Sequence, residues 1–510
     1  MPSLSRRTAI NRAIGAVAVS LLPLALCPLP AVSAGPILDG SRIVEHTFDN
    51  GFRLIMKPEH QWNLVSVGLY VRAGSCCETD DNAGVAHLLE HLLFEATVRG
   101  DEQTVGPAIE ALGGYVNAAT TRDFTHIDVT VASQYLGQVA EMLAAAVFEP
   151  ELTVAAVTRE RNVVMRELMD RLANAEGMLA HAIWSNAFKQ HPYGRGVGGT
   201  PEQAADLTLE ELQDFHETFY VPGNMALIVV GDLDPEALTQ QVGELFGQRP
   251  RAPLDFTDPP PEARLTSSRK VVETRESDTT IVTFAWHAPG IGEPADVWAM
   301  DLIYTILGEG KSGRLYQALE DKGLALMSTV DFLTQRYPGL FVITALTKPD
   351  SEREVRSTIL AEIQRLGDEQ VAEEELAEAK RLLRAAYAFS NEAYSDQVGS
   401  LGFYEAIATH QVAIDYIGEV NQVTPADLQR VARKYLVPDL YTLIIVRPEA
   451  QPGDTREANG GRWATCPSKP RRGELGWASP LAEATGDEMG NRQWGTTTTA
   501  TAAEMAGNRE

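Results

Sequence analysis

The sequence predicts an α+β protein of two homologous domains, because it contains an internal repeat and because its apolar strands alternate with long helices. Residues 208–230 align without gaps with residues 424–446, and Leu64–Gly74 aligns in the same way with Thr280–Gly290. Both pairs are 216 residues apart. Each copy of the first segment has the pattern of an amphipathic helix, a Val-Pro turn and an apolar strand. Since one offset relates two separate places, we predict a duplicated domain.

The boundary between the copies lies in a proline-rich stretch, Arg249–Arg264, which is typical of a semi-rigid linker. We therefore divide the chain into a first half (residues 40–248), a linker (249–266) and a second half (267–448). Residues 451–510 are rich in Gly, Thr, Ala and Glu and have no sustained apolar period. This composition predicts a disordered tail, with a small helical cap as the alternative.

Composition and charge exclude several classes of protein. The chain has 510 residues, of which 44% are hydrophobic and 22% charged, so most of it can bury a core. The formal net charge of -27 argues against binding to nucleic acid, which needs a basic face. It also argues against electrostatic docking on anionic lipid. Four cysteines are too few for a scaffold built on disulfides.

The N-terminus has the pattern of a secretory signal. An apolar stretch runs from Ala13 to Leu29, and Val32-Ser33-Ala34 offers small residues where a signal peptidase cleaves. The basic residues that precede the apolar stretch are Arg6, Arg7 and Arg12. We predict that residues 1–34 are removed before Gly35 and that the protein is exported, to a periplasm or outside the cell. The alternative is a membrane anchor, against which the prolines and the short apolar run count.

The local feature most informative about chemistry is His87-Leu88-Leu89-Glu90-His91, in a stretch with helical apolar content. On a helix, positions i and i+4 share a face, so both imidazoles can point at one ion. A zinc ion held in this way lowers the pKa of a water molecule, and a nearby carboxylate can act as general base. The alternative interpretation is a pair of partly buried helix histidines beside a solvated glutamate.

A second pair of residues strengthens the metal hypothesis. Glu160 and Glu167 lie seven residues apart, two helical turns, so both carboxylates face one way. Glu167 can supply the third ligand, and Glu160 can orient a ligand from behind. Taken alone, such a pair is more often a solvated helix face.

The motif set resembles the pitrilysin and mitochondrial processing peptidase family. HLLEH is the inverted zinc motif HxxEH, and a Glu-x6-Glu helix follows it. Further similarity lies in Gly114-Tyr115-Val116-Asn117-Ala118 and in His191-Pro192-Tyr193-Gly194-Arg195. The resemblance covers residues 40–448, both halves and the linker. The chain resembles the bacterial zinc-bearing two-domain subunits of this family.

The resemblance implies a fold and a set of roles. Each half is expected to be an antiparallel sheet with helices packed on one face, and the halves to face each other as a clamshell. Zn²⁺ is expected on His87, His91 and Glu167, with Glu90 as the base and Glu160 behind the ligands. The resemblance also implies that an extended peptide adds to an exposed strand beside Asn117 and Ala118, for which Thr125–Val131 alternates well enough.

The implied function is that of a zinc endopeptidase acting on peptides or unfolded segments. The alternative is a non-catalytic or assembly subunit of a peptidase-like complex, although such subunits usually lose the ligands. The repeat predicts that the second half is catalytically empty. Residues 216 positions after His87, Glu90 and His91 are Ile303, Ile306 and Leu307.

One departure from the family concerns partners. Active single-chain members carry an Arg and a Tyr in the second half that hold the substrate backbone, where this sequence has Glu320 and Leu326. A carboxylate cannot donate the hydrogen bonds of a guanidinium. The chain therefore resembles the zinc-bearing member of a heterodimer whose homologous partner supplies Arg and Tyr. The alternative is a homodimer that uses other contacts, such as Arg314 and Tyr316.

The export hypothesis makes a direct prediction. In its natural host the mature protein should begin near Gly35, and N-terminal sequencing of the purified protein measures this. A mature chain that begins at Met1 contradicts export by this segment.

Overall fold

The structure, a computed structural model, describes residues 37–94, 104–254 and 256–449. The predicted signal (1–34) and the predicted tail (451–510) lie outside the described residues. Within the described ranges, no helix combines the length and the hydropathy that crossing a membrane requires.

The first half contains a six-stranded sheet. Its strands in chain order are β1 (Val44–Thr47), β2 (Arg53–Pro58), β3 (Leu64–Val71), β4 (Tyr115–Thr120), β5 (Thr125–Ala132) and β6 (Met225–Gly231). Their spatial order is β1-β2-β6-β3-β5-β4. The second half contains a five-stranded sheet of β7 (Arg269–Arg275), β8 (Thr280–His287), β9 (Ala325–Phe332), β10 (Leu340–Thr347) and β11 (Thr442–Pro448). Their order is β7-β11-β8-β10-β9.

The fold is mixed α and β, as predicted, but neither sheet is wholly antiparallel. Strand β6 pairs in parallel with β2, and β11 pairs in parallel with β7. The reason is topological. In each sheet the last strand is inserted between two consecutive strands that run in opposite directions, so it must be parallel to one of them. All other described pairs are antiparallel.

Fourteen α-helices lie within the described residues. Those of the first half are α1 (Val85–Phe94), α2 (Val105–Ala111), α3 (Leu136–Phe148), α4 (Val154–Ala173), α5 (Ala175–Ala187), α6 (Pro201–Asp206), α7 (Leu209–Phe219) and α8 (Pro235–Val242). Those of the second half are α9 (Pro294–Gly308), α10 (Glu352–Asp368), α11 (Glu373–Phe389), α12 (Tyr394–Ile407), α13 (Gln411–Gln422) and α14 (Pro425–Tyr435).

The repeat in the sequence is a repeat in the structure. Strands β3 and β8, and helices α7 and α14, begin and end at positions 216 residues apart. Both helices start with the same local device. The hydroxyls of Thr208 and Thr424 each accept a hydrogen bond from the backbone amide three residues on. The carboxylates of Glu211 and Asp427 in turn accept one from the backbone amide of the cap residue. Such capping boxes satisfy amide groups that a helix start otherwise leaves unpaired.

The central strands of each sheet are apolar on both faces, because a helix from the other half covers the second face. On β2, Leu54 and Met56 face the helices of their own half, whereas Ile55 faces α12 of the second half. In the second sheet, Ile445 of β11 faces its own helices, and Ile444 packs with α5 of the first half. Alternate residues of a strand point to opposite faces, so these strands are buried on both sides. Helices α5 and α12 occupy corresponding places in the repeat, so the halves exchange equivalent helices.

The linker is tied to both halves. One carboxylate oxygen of Glu262 accepts hydrogen bonds from the backbone amides of Lys189, Gln190 and His191 at 2.7–3.0 Å. Asp258 accepts a 2.6 Å hydrogen bond from the hydroxyl of Tyr337 in the second half. The proline-rich segment therefore lies against the body of the protein instead of spanning free solvent.

The predicted edge strand was assigned to the wrong residues. Residues Thr125–Val131 belong to β5, which pairs with β3 on one side and β4 on the other. The outermost strand is β4, which carries Asn117 and Ala118. The error arises because alternation of polar and apolar residues identifies a strand, but does not tell which member of a hairpin lies outside.

A buried carboxylate anchors α12 to the first sheet. Glu405 is fully buried and forms ion pairs with Arg53 of β2 and Arg72 after β3, the second at 2.6 Å. Its other oxygen accepts a 3.0 Å hydrogen bond from the amide of His410. Burial raises the pKa of Glu405, but the hydrogen bonds from His410 and the charge of Arg72 outweigh it, and the pKa lies below its usual range.

Replacement of this carboxylate should loosen the contact between the halves. Glu405→Ala leaves two guanidinium groups without their shared partner, which costs about 3 kcal/mol when a buried pair is broken. We expect this loss in the free energy of unfolding measured by urea titration. Glu419→Ala, an exposed glutamate on α13, is the control and should change the free energy of unfolding by less than about 0.5 kcal/mol. Equal stability of the two variants would contradict the anchoring role.

Candidate metal centre

Helix α1 carries three of the predicted site residues toward one place. The apolar residues of α1 pack into the core of the first half, which fixes the orientation of the helix. His87 and Glu90 are buried, and the side chain of His91 is 21% exposed. The imidazole rings of His87 and His91 lie with centroids 4.9 Å apart and planes at 88°. The two rings thus lie side by side on the face of the helix that the i, i+4 spacing predicts.

Helix α4 packs against α1 and brings its carboxylates to the imidazoles. Glu167 lies with one oxygen 3.6 Å from Nε2 of His87 and the other 3.5 Å from Nε2 of His91. Ligand atoms of these three residues all lie within 4.8 Å of one another. Among the described residues, this is the only group of three His, Cys, Asp or Glu side chains close enough to share an ion.

The protonation states of His87 and Glu167 suit the binding of a cation, whereas that of His91 does not. Burial lowers the pKa of His87 to about 3, so its imidazole is neutral and has a lone pair to donate. Burial acts against the charge of the Glu167 carboxylate, but its hydrogen bond with His91 and the charge of Arg171 outweigh this effect and lower the pKa of Glu167 to about 2. Burial alone would lower the pKa of His91, but the hydrogen bond with the Glu167 carboxylate outweighs burial and raises the pKa of His91 above its usual value. His91 must therefore give up its proton when a cation binds.

Glu90 lies apart from the three clustered residues. Its carboxylate accepts a 2.7 Å hydrogen bond from the hydroxyl of Thr120, at the end of edge strand β4. Burial raises the pKa of Glu90, against the opposing effects of His91 and Thr120. A carboxylate that has a raised pKa and lies near a set of candidate metal ligands, without being one of them, has the properties of a general base.

Glu160 lies behind the centre. It is buried, and its Oε2 is 3.7 Å from Nδ1 of His91, the ring nitrogen that does not face Glu167. Its other oxygen accepts a 2.9 Å hydrogen bond from Arg159. A carboxylate on the far nitrogen of a ligating histidine fixes the ring and its tautomer.

Edge strand β4 passes the centre with Asn117 and Ala118 on it. Both are half-buried, and their backbones pair on one side only, opposite Asp128 and Ile127 of β5. Among the described residues, no strand pairs with the other side of β4. Its unpaired amide and carbonyl groups are those to which an extended peptide can add.

Sequence reasoning missed the residue that holds the start of α1. Glu78 is buried, and its two carboxylate oxygens accept 3.0 Å hydrogen bonds from the amides of Gly84 and Ala86. Burial raises the pKa of Glu78 to about 8. Arg195 holds the same loop, since it donates to the carbonyl of Glu78 at 2.6 Å. The feature of the sequence that could have indicated this loop is Arg195, the last residue of the HPYGR motif.

Glycines allow the neighbouring loop to approach the ligands. A Cβ atom on Gly198 would lie 2.9 Å from Nδ1 of His87, and one on Gly84 would lie 2.4 Å from the carbonyl oxygen of Gly198. Gly84 also has a φ of +96°, which other residues rarely adopt. Larger residues at these places would displace either α1 or the loop that covers His87.

The second half has the equivalent helices but no ligands. Helices α9 and α11 pack together as α1 and α4 do. Ile303, Ile306 and Leu307 of α9 are buried in the core of the second half, as is Leu376, the counterpart of Glu160. Leu383, the counterpart of Glu167, is partly buried against that core.

At the predicted departure, Glu320 has a structural role. Glu320 accepts hydrogen bonds of 2.8 Å from both the amide and the hydroxyl of Ser328, and Leu326 is 50% exposed. Arg314, considered as a substitute for the family's Arg, forms two 2.7 Å hydrogen bonds with Glu375. This bidentate pair holds the guanidinium of Arg314 against α11.

Comparison with known proteins gives a consistent result for both halves. Residues 53–201 match the profile of insulinase (peptidase family M16), and residues 206–383 match that of the peptidase M16 inactive domain. An uncharacterized zinc protease of Mycobacterium tuberculosis is 29% identical over 401 residues, which is 76% of this chain and 90% of that protein. The zinc protease PqqE of Helicobacter pylori is 27% identical, with 79% and 92% covered.

More distant relatives agree with these matches. A probable mitochondrial-processing peptidase subunit beta of Arabidopsis thaliana is 24% identical, with 76% of this chain and 75% of that protein covered. The crystal structure of a protease from Helicobacter pylori superposes with a TM-score of 0.73 at 24% identity, over 80% of this chain and 99% of that one. The chain belongs to peptidase family M16, the pitrilysin and mitochondrial processing peptidase family that its motifs resemble.

Proposed function

We propose that the protein is a zinc-dependent endopeptidase that hydrolyses peptides or unfolded polypeptide segments. The observation that carries the proposal is the cluster of His87, His91 and Glu167 within 4.8 Å, beside the buried carboxylate of Glu90. Two imidazoles and a carboxylate are the protein ligands of zinc in several peptidases, with a fourth position left open. The names of the relatives as zinc proteases agree with this donor set.

The residues divide the chemistry among them. Zinc, when bound to His87, His91 and Glu167, supplies Lewis acidity that makes water a better nucleophile and polarises a peptide carbonyl. Glu90 takes the proton of the attacking water and later gives it to the leaving amine. Thr120 holds the carboxylate of Glu90 through its 2.7 Å hydrogen bond. Glu160 keeps the ring of His91 in place.

Strand β4 positions the substrate in this proposal. An extended peptide pairs with the free side of β4 at Asn117 and Ala118, so its backbone runs past Glu90, which contacts the end of the same strand. Main-chain pairing of this kind selects extended chains and excludes folded ones. The export proposed from residues 1–34 places this activity in a periplasm or outside the cell.

The alternative function is that of an assembly subunit without activity. The profile described as inactive matches residues 206–383, from the end of the first half into the second, whereas the metal-centre residues lie within 53–201, which match the insulinase profile. The four residues of the HxxEH and Glu167 set are all in place in the first half. We therefore favour the peptidase, in which the second half is the catalytically empty copy.

Replacement of the base tests catalysis separately from metal binding. Glu90→Gln should lower kcat for peptide hydrolysis by about 10²- to 10⁴-fold, because an amide cannot accept the proton. Zinc content, measured by mass spectrometry of the purified protein, should not change. Glu110→Gln, an exposed glutamate on α2, is the control. Unchanged turnover in Glu90→Gln would refute the assigned base, and absence of turnover by the unmodified, zinc-bound protein would favour the assembly role.

Removal of a ligand tests the metal centre. His91→Ala should abolish equimolar zinc binding, and Glu160→Gln should weaken zinc affinity by about 10- to 100-fold because the imidazole loses its orienting partner. Competition with a chromophoric chelator measures both. His60→Ala, in an exposed histidine paired with Asp232, should bind zinc like the unmodified protein. Full zinc content in His91→Ala would contradict the ligand assignment.

A partner is part of the proposal, because the family's Arg and Tyr hold the substrate and none of Glu320, Leu326 and Arg314 takes their place. The related mitochondrial enzyme is named as one subunit, and we propose that this chain also works with a homologous chain that lacks HxxEH. The isolated chain should bind zinc yet cleave peptides about 10- to 100-fold more slowly than the pair, the effect of losing hydrogen bonds to a charged group. Full turnover by a chain shown to be monomeric by light scattering contradicts the partner.

A further inference from the structure

A cavity of about 230 Å³ lies behind the metal centre, between α4, α5 and the loop that follows the HPYGR motif. Its polar and charged lining is mostly basic, although the chain as a whole carries a net charge of -27. The side chains that define this character are Arg122, Arg171, His181, Trp184, Arg195 and Glu202. Two of the three guanidinium groups also pair with carboxylates, Arg171 with Glu167 at 2.7 Å and Arg195 with Asp80 at 2.9 Å. The space is large enough for several waters or for one small molecule.

Two residues of this lining carry hydrogen-bond donors that have no partner among the described residues. The indole Nε1 of Trp184 and the Nε of Arg195 are both buried and unpaired. Trp184 is 3% exposed. Buried donors without an acceptor are costly, so such groups usually bind water or a ligand. The N–H groups of indole and guanidinium donate hydrogen bonds and do not accept them, so Trp184 and Arg195 cannot pair with each other. The occupant must therefore present acceptors.

The indole is held in place for this purpose. Its ring lies beneath the guanidinium of Arg122 at 3.7 Å and stacks on Phe188 with centroids 5.5 Å apart. Arg122 is itself buried and donates to the carbonyl of Tyr193 at 3.2 Å. The donor of Trp184 is thus on a rigid ring with positive charge beside it, and this arrangement favours acceptors that carry negative charge.

We propose that this cavity binds a compact oxyanion, a carboxylate or a tetrahedral phosphate-like group, through Trp184 and Arg195. The chemistry shared by the two classes is an anionic oxygen that accepts from an indole N–H or a guanidinium N–H. Glu202, the one acidic residue of the lining, is exposed and opposes binding through its charge. Water alone is the competing occupant.

The site is linked to the metal centre by one side chain. Arg171 lines the cavity and donates a 2.7 Å hydrogen bond to Oε1 of Glu167. An anion in the cavity attracts the guanidinium of Arg171. The guanidinium then neutralises less of the negative charge on the Glu167 carboxylate. This part rests on the proposed role of Glu167 as a zinc ligand. The anion should then raise zinc affinity, and zinc should raise anion affinity by the same factor.

Calorimetric titration with sulfate and with acetate, at constant ionic strength, tests the cavity on the full chain with and without zinc. We expect saturable binding of at least one of the two, and the stronger one identifies the class. Trp184→Phe keeps the stacked ring but loses the donor, and should weaken binding about 10- to 100-fold. Trp62→Phe, in a tryptophan that is 61% exposed, is the control and should not change binding.

A second variant keeps the test decisive if Trp184→Phe fails to fold. Glu202→Gln removes the opposing charge and should tighten binding about two- to fivefold, the size of an exposed charge interaction. Glu210→Gln is its matched control, because Glu210 is also exposed and also occupies the second position of a helix. Absence of saturable binding, or binding that neither Trp184→Phe nor Glu202→Gln changes, overturns the proposal in favour of water.

The link to the metal is measured separately. Saturating sulfate or acetate should raise zinc affinity about two- to tenfold in the unmodified protein, and Arg171→Gln should abolish this effect. Unchanged zinc affinity with the anion bound overturns the link but leaves the cavity site in place. Since anion binding is also measured without zinc, its outcome is independent of the proposed peptidase activity.

Discussion

The second face of each sheet is the constraint on which the rest of the structure depends. Strands such as β2 and β11 are apolar on both sides, and only a helix from the other half covers the second side. Apolar burial is worth roughly 25 cal/mol per Å², so a half without its partner would expose one face of its sheet to water. The exchange of α5 and α12 makes the two halves one folding unit and thereby fixes the second half, which has no ligands, in place.

The metal centre is a consequence of that rigid frame. Helix α5 follows α4 after a single residue, so packing of α5 onto the second sheet also restrains α4, which carries Glu167. Helix α1 is held from the other end by Glu78, whose carboxylate binds the first amides of the helix. The candidate ligands thus lie on two helices that are fixed at different places, and no loop has to move to bring His87, His91 and Glu167 together.

The sequence allowed prediction of much of this arrangement, and the failures have physical reasons. The offset of 216 residues and the HxxEH and Glu-x6-Glu spacings are local or periodic patterns, and the structure brings those residues together. The edge strand was wrong because alternation does not identify the outermost strand. The exchange of α5 and α12 was missed because periodicity reveals an apolar face but not what covers it. Glu78 was missed because a single carboxylate before a glycine is common, and its role depends on burial.

The asymmetry between the halves follows from the cost of buried polar groups. In the first half, His87, Glu90 and Glu160 are buried on α1 and α4, where each polar group lowers stability unless it is paired. The second half has Ile303, Ile306 and Leu376 at the corresponding places, all within its core. The duplicated frame has two sheets and two exchanged helices, but only the first half carries the candidate ligands. The second copy therefore holds the frame together with a core in which these positions are apolar, and the first carries the polar cluster at the expense of its own packing.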